Sequence, residues 1–214
     1  MSAELLARCR AIATSTWSDA LDHLGIEGVI CGLTLRSGAS CVAGTAVTVK
    51  ECVGRFGAYD PDAFSIGACL DAVSAGSMLV VDMGGAAVST FGGLAAQAAA
   101  LRGASGVIID GGCRDVGAIR ASALWLSSRH VTAISGKCRV RVAGINVPVT
   151  ICGVSVAPGD YIIGDETGAV RVQSGRLLET LSFAEELTAK DNRFQDGLRR
   201  GQTFNTIATT LQHL

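Results

Sequence analysis

Apolar positions along this chain follow two rhythms, one helical and one of strands, and the changes between them mark out the elements. Residues 2–13 and 18–24 carry apolar side chains at helical spacing, with Ser18 a plausible cap for the second helix. From 40 to 53 the pattern is that of a strand, and 62–75 reads as a helix stopped by Gly76. Two short runs, LVV at 79–81 and VII at 107–109, are rich in β-branched residues and closely followed by an aspartate and a glycine pair. They predict buried strands that break at the glycines. The turn 89–95 leads into an alanine-rich helix reaching about Leu101, which Gly103 ends. A second strand-rich block covers 130–134, 138–142, 147–156, 161–164 and 169–172, with Pro158-Gly159-Asp160 as a turn: proline presets one dihedral and glycine permits a positive one. An amphipathic helix over 182–200 and a short one over 203–214 close the chain. No repeat, low-complexity tract or long linker divides it.

Composition narrows the function classes. With 214 residues, 49% hydrophobic and 17% charged, the chain has ample material for a core. A formal charge of -1 and the lack of any basic run argue against a nucleic-acid partner. No apolar stretch approaches a membrane span, and the opening MSAELLARCRAIATS lacks the apolar core of a secretion signal, so a cytoplasmic protein without a membrane partner is expected. The eight cysteines are scattered singly, with no C-x-x-C, and read as small buried hydrophobes in a reducing compartment. Cys113 is the one to watch, because Arg114 adjoins it and could lower its thiol pKa.

Candidate chemistry gathers at GVIIDGGCRD. A strand ending at Asp110 places Arg114 and Asp115 in a loop at the carboxyl end of a sheet, where ligands collect in open α/β folds. An arginine fork holds a carboxylate bidentately, and the neighbouring aspartate suits a hard cation such as Mg²⁺. The glycines of Ser89-Thr90-Phe91-Gly92-Gly93-Leu94-Ala95 leave bare amides at a helix start, a ready anion site, or else merely supply small residues for helix packing. Asp82 and Asp110 end strands at the same face and either touch ligand or cap the following turns. Lys50 ends a strand and leaves a Schiff-base aldolase conceivable. His23, His130 and His213 read as structural or solvated, and Asp165 and Glu166 as a hairpin turn.

The segments STWSDALDHLGI, VAGTAVTV, GSMLVVD, GVIIDGGCRD and INVPVTICGVSVAPGDYIIGDETGAVRV, in this order and spacing, resemble the RraA-like family, and the similarity covers most of the chain. That family includes class II 4-hydroxy-4-methyl-2-oxoglutarate/4-carboxy-4-hydroxy-2-oxoadipate aldolases and an inhibitor of RNase E. The resemblance implies a single domain over 1–214, α/β in class, of the layered β/β/α swivelling type flanked by N- and C-terminal helices. It implies a homotrimer or hexamer with sites between subunits. By position, Gly92, Gly93, Leu94 and Ala95 inherit substrate binding through backbone amides, Arg114 pairs with the substrate carboxylate, and Asp115 binds Mg²⁺ or Mn²⁺. An acidic residue from a neighbouring subunit orients the reacting group, and Asp191 stands nearest that position, among Glu185, Glu186 and Asp196 on the same helix. The implied activity is a metal-dependent lyase on small 2-oxo acids, by retro-aldol cleavage or oxaloacetate decarboxylation through a pyruvate enolate. The alternatives are a non-catalytic regulator that binds a ribonuclease and a different small-acid enzyme on the same fold. One departure matters: FGGL stands where the family's aldolases have FGEL or FGDL, so Gly93 replaces an acid that helps hold metal-bound water.

Overall fold

The structure, a computed structural model, describes residues 3–211. Its elements in chain order are α1 (Ala3–Arg10), α2 (Thr14–His23), β1 (Val29–Ile30), β2 (Thr34–Ser37), β3 (Val42–Val53), α3 (Ile66–Asp71), β4 (Ser77–Asp82), β5 (Ser89–Phe91) and α4 (Gly93–Leu101). They continue as β6 (Gly106–Cys113), α5 (Val116–Ala121), β7 (Leu126–Val131), β8 (Val140–Ile145), β9 (Val149–Ile151), β10 (Val154–Val156), β11 (Tyr161–Gly164), β12 (Ala169–Val172), α6 (Leu177–Arg199) and α7 (Phe204–Leu211). The main sheet runs β1-β12-β11-β3-β4-β6-β7-β2, with β5 added to β6 and β8 to β3. Its centre, β3-β4-β6-β7, is parallel, and β11 and β12 join antiparallel. The parallel strands β4 and β6 are buried at every position, as sheets covered on both faces require.

Three apolar layers follow from that burial. Over one half of the sheet α3, α4 and α5 cover Val49, Leu79, Val81, Val107 and Ile109. Over the β11-β12 half, α1, α2 and α6 bury Trp17, Leu21, Leu177 and Leu181 against Ile163 and Val170. The opposite face receives the β9-β10 hairpin on Met78, Val80, Ile108 and Trp125. Helices, sheet and hairpin therefore stack in the α/β layering expected from the sequence, with helices at both ends of the chain. Among the described residues no helix is long and apolar enough to cross a membrane.

Several elements depart from the sequence reading. The helix expected over 18–24 begins four residues earlier, and its start is not capped by Ser18. Ala13 occupies the cap position, and the distant Asp165 accepts hydrogen bonds from Thr14 N at 2.8 Å and Thr14 Oγ1 at 2.7 Å. The helix expected over 62–75 is split into a 3-10 turn, Pro61–Ala63, and α3. The break lets Phe64 and Ile66 pack on the core at the edge of a recess described below. The strand expected to stop at Gly111 and Gly112 runs through both. A Cβ on Gly112 would lie 2.6 Å from the Val88 carbonyl oxygen, so the glycines serve close packing rather than a turn. The strand expected over 147–156 folds back as β9 and β10, because Cys152 (φ 49) and Gly153 (φ 91) both take the left-handed conformation of a tight hairpin turn. The strands expected at 130–134 and 138–142 lie instead at β7 and β8, and the segment 89–91, read as loop, is a short strand on β6. The end of the closing helix and His213 lie outside the described residues.

The aspartates of β4 and β6 are clasps. Asp82 accepts from Lys50 Nζ at 2.7 Å, Gly84 N at 2.9 Å and Thr150 N at 3.0 Å. Asp110 accepts from Arg129 Nε at 2.6 Å and Cys152 N at 2.7 Å. Both carboxylates thus reach from the parallel strands to the hairpin and pin it down. Asp165 plays the same part between the β11-β12 turn and α2. Burial pushes its carboxyl up, but the hydrogen bonds from Thr14, Thr167 and Gly168 outweigh that and hold it below the usual carboxylate range. A group whose folded pKa is lowered contributes stability that is present above its unfolded pKa and lost as pH falls. Replacing Asp165→Ala is expected to cost about 1–3 kcal/mol at pH 7. Thermal melts of wild type and variant should draw together as pH falls below the ordinary carboxylate range; a gap that does not narrow would assign the loss to packing alone.

Candidate active site

At the carboxyl end of β6 the chain must turn from strand into α5 within two residues, Arg114 and Asp115. Asp115 does so in the left-handed conformation (φ 55, ψ 42), which costs a non-glycine residue about 1 kcal/mol or more. Although Asp115 occupies the cap position of α5, its side chain makes no capping hydrogen bond. The carboxylate turns to the start of α4: Oδ2 lies 3.4 Å from Gly93 N and 3.5 Å from Arg114 Nε. Both contacts are long, and the two side chains are about half exposed (46% for Arg114, 54% for Asp115), so the pair is weakly coupled and open to a ligand. Arg114 N in turn donates to Phe91 O at 2.9 Å, which ties the arginine to β5.

The facing wall is the β5-α4 turn. Gly92 is extended at the cap position, and α4 begins at Gly93, so the amides of Gly93, Leu94 and Ala95 have no partner one turn back. With the helix dipole they form an electropositive edge. The glycines are needed for proximity. A Cβ on Gly92 would stand 2.7 Å from Asp115 Oδ2, and one on Gly93 would stand 2.5 Å from Ala118 Cβ. Between the walls is a recess of about 220 Å³ whose lining includes Phe64, Ile66, Thr90, Gly93, Arg114 and Asp115. Its polar groups are thus an arginine fork, one carboxylate, a row of amides and the hydroxyl residues Ser89, Thr90 and Ser135, above an apolar flank. That set can bind a small anion and hold a second oxygen of the same molecule.

The structure gathers Gly92, Gly93, Leu94, Ala95, Arg114 and Asp115 around this recess. The other candidates lie elsewhere. Asp191 is on α6, which packs on α2 across the other half of the sheet, and it does not line the recess. Glu185 of the same helix pairs with Arg8, and Asp196 with Arg199. Cys113 is fully buried on β6 with its Sγ 3.4 Å from Ser128 Oγ, which removes it as an accessible nucleophile. Lys50 is tied to Asp82. His23 stacks on Phe183, and His130 Nε2 is 3.0 Å from Gly85 O. No group of three or more His, Cys, Asp or Glu side chains placed to hold a metal occurs among the described residues, so any cation here would rest on Asp115, substrate and water.

The sequence reading passed over Phe64, Ile66 and Ser135 in the lining, and also Glu51 and Thr90. Glu51 is 3% exposed, and burial pushes its carboxyl up to about 7, with the Thr90 hydrogen bond pulling the other way. A signal was available, since Val47, Val49, Glu51 and Val53 share one face of β3, and a lone acid on an apolar face is unusual.

Residues 14–171 match the family model described as RraA-like, Aldolase/RraA. The chain belongs to the RraA-like family. A protein of Halalkalibacterium halodurans named "Putative 4-hydroxy-4-methyl-2-oxoglutarate aldolase" is 28% identical over 88% of this chain and 85% of its own length. An uncharacterized protein of Methanocaldococcus jannaschii is 34% identical over 60% of this chain, which spans 61% of that protein. Among solved structures, an uncharacterized protein from Pseudomonas syringae pv. tomato superimposes with a TM-score of 0.86 at 26% identity, covering 97% of this chain and 98% of that one. RraAS2 of Streptomyces coelicolor, described as an unusual member of the RNase ES inhibitor RraA family, shares the fold (TM-score 0.78, 24% identity, 94% and 97% covered).

In this RraA-like chain Gly93 is held by Ala118 of α5, so an acid at 93 cannot simply be added. Gly93→Asp is expected to destabilise the protein by about 1–3 kcal/mol through overpacking. Adding Ala118→Gly should return part of that loss, beyond the cost of Ala118→Gly measured alone. Strict additivity of the two substitutions in denaturant unfolding would show that the contact does not limit position 93.

Proposed function

We propose that the protein is a divalent-metal-dependent carbon-carbon lyase acting on small 2-oxo acids, cleaving 4-hydroxy-4-methyl-2-oxoglutarate-type substrates by retro-aldol reaction and decarboxylating oxaloacetate, with pyruvate as the shared product. The observation that carries this reading is the convergence of Arg114, Asp115 and the bare amides of α4 on one recess. Both reactions leave an electron pair on the carbon next to a 2-oxo group, so both are assisted by positive charge at the 2-oxo oxygen. Arg114 holds the adjoining carboxylate by its fork, and the amides of Gly93, Leu94 and Ala95 donate to the remaining oxygens. Phe64 and Ile66 shield the flank from water. Asp115 fits Mg²⁺ or Mn²⁺: its carboxylate is hard, half exposed and, among the described residues, bound by long contacts of 3.4 and 3.5 Å. A cation bound there supplies Lewis-acid polarisation of the 2-oxo group.

Assembly belongs to the same proposal. In a homotrimer or hexamer, Asp191 of a neighbouring copy would approach the site and orient the reacting group. The exposure of Leu94 (85%) and Leu101 (82%) on α4, beside the recess, supports burial of that helix against a second copy. Gly93, which leaves the recess one carboxylate, favours a second reading: a non-catalytic regulator that binds a ribonuclease through its surface.

Pyruvate release separates the two. With oxaloacetate and with 4-hydroxy-4-methyl-2-oxoglutarate, release is expected in Mg²⁺ and not in EDTA. Arg114→Ala should lower the rate roughly a hundredfold or more, the scale of losing one transition-state charge contact. Asp115→Ala should abolish Mg²⁺ binding in calorimetry. No pyruvate from either substrate, with Mg²⁺ bound, would exclude the lyase reading.

A further inference from the structure

Glu51 is a buried acid that the chemistry above leaves unused. It projects from β3 into the apolar layer under α3 and α4, next to a register shift of β3 against β8 between Lys50 and Glu51. Its Oε1 accepts a hydrogen bond from Thr90 Oγ1 at 2.7 Å, and its Oε2 is buried without a partner. No cation neutralises it among the described residues. Lys50 is spent on Asp82, and the titratable neighbour is Cys69 of α3, whose thiol is pushed up to about 12 by burial and by Glu51 itself. Thr90, meanwhile, lines the recess. The residue whose hydroxyl binds the orphaned core acid is therefore also one that lines the anion site.

We propose that Glu51 is a positioning residue that couples anion binding in the recess to the uptake of one proton, acting through the Thr90 hydroxyl. This deepens the 2-oxo acid reading of the recess and rests on it. When Glu51 is ionised, the Thr90 hydroxyl hydrogen is committed to Oε1, and a second negative charge stands behind the wall that an incoming anion must approach. When a solvent proton settles on Oε1, the hydrogen bond inverts. Glu51 then donates to Thr90 Oγ1, and the hydroxyl hydrogen is released to face the ligand. No covalent bond changes other than the one to that proton. Burial sets the balance near neutrality, where the carboxyl titrates at about 7. A raised folded pKa favours the neutral acid below that pH and loses it above, so anion affinity should fall as pH rises.

The test uses the whole protein with oxalate, a dianion shaped like a 2-oxo acid enolate, in the presence and absence of Mg²⁺. Titration calorimetry in two buffers of different ionisation enthalpy, at pH 6, 7 and 8, counts the protons bound. Wild type is expected to take up close to one proton per oxalate at pH 8 and little at pH 6, with affinity falling about tenfold between pH 6 and pH 8, most of it over the upper unit. Glu51→Gln keeps a donor to Thr90 at every pH. It should bind without proton uptake and about tenfold more tightly than wild type at pH 8, a gain that a merely structural acid would not give. Thr90→Val, which leaves Glu51 in place, should lose the pH dependence and bind several-fold more weakly at pH 6. A wild type that binds with no proton uptake, or a Glu51→Gln variant with the wild-type pH slope, overturns the coupling alone. No oxalate binding at any pH overturns the 2-oxo acid reading, and the coupling with it.

Discussion

The candidate site depends on one close approach, that of the first residues of α4 to the junction between β6 and α5. Two glycines in succession let the helix start come within contact distance of Asp115 and Ala118, where a Cβ on either glycine would collide. From that approach follow the long contact of Asp115 Oδ2 with Gly93 N and the bareness of the amides beyond it. It also gives Asp115 its left-handed turn a purpose, because a carboxylate in the usual extended cap conformation would be spent on its own helix. Strain of about 1 kcal/mol at Asp115 is small against the burial of β6 and Ile119 on either side, which hold the turn in place.

Most buried acids in this fold are structural, and their partners say so. Asp82 and Asp110 accept several donors from elements distant in sequence, as does the part-buried Asp165, and Asp160 meets Arg171 at 2.8 Å while accepting from Ala157 N. A buried carboxylate supplied with donors binds its layer to the next, and at Asp110 the donors hold the carboxyl below the usual carboxylate range despite burial. Among the described residues Glu51 has one donor and no cation, so burial moves its titration toward neutrality. The contrast between satisfied and orphaned carboxylates distinguishes clasps from a group able to change charge in the physiological range.

Much of this was legible in the chain. The β-branched runs before Asp82 and Asp110 announced the parallel strands, and GGCRD placed an arginine and an acid at their carboxyl end, because strand period and loop position are local properties. What failed was decided at a distance. Ser18 has the right chemistry for a cap, yet α2 starts four residues earlier because Asp165, 151 positions on, supplies the acceptor. Gly111 and Gly112 look like a strand end but lie inside β6, since the need for glycine comes from Met83 and the Val88 backbone pressing on them. Phe64 and Ile66 were hidden inside an apparent helix that breaks to bring them to the recess. Sequence period reports which face a residue takes and cannot report what waits on that face.

Position 93 shows how that limit bears on function. Read as a motif, FGGL is a family pattern with one acid missing, and adding the acid back seems to complete it. In the folded chain Gly93 is half of a packed contact whose other half is Ala118, on the helix that follows Asp115. A side chain at 93 would press α5 away, and α5 carries the strained turn that aims Asp115. The two positions therefore act as a unit, and an acid at 93 belongs with more room at 118. Lacking both, this chain concentrates the polar chemistry of the recess in Arg114, Asp115 and backbone amides, groups that bind an anion by geometry and leave any adjustment of charge to what lies behind the wall.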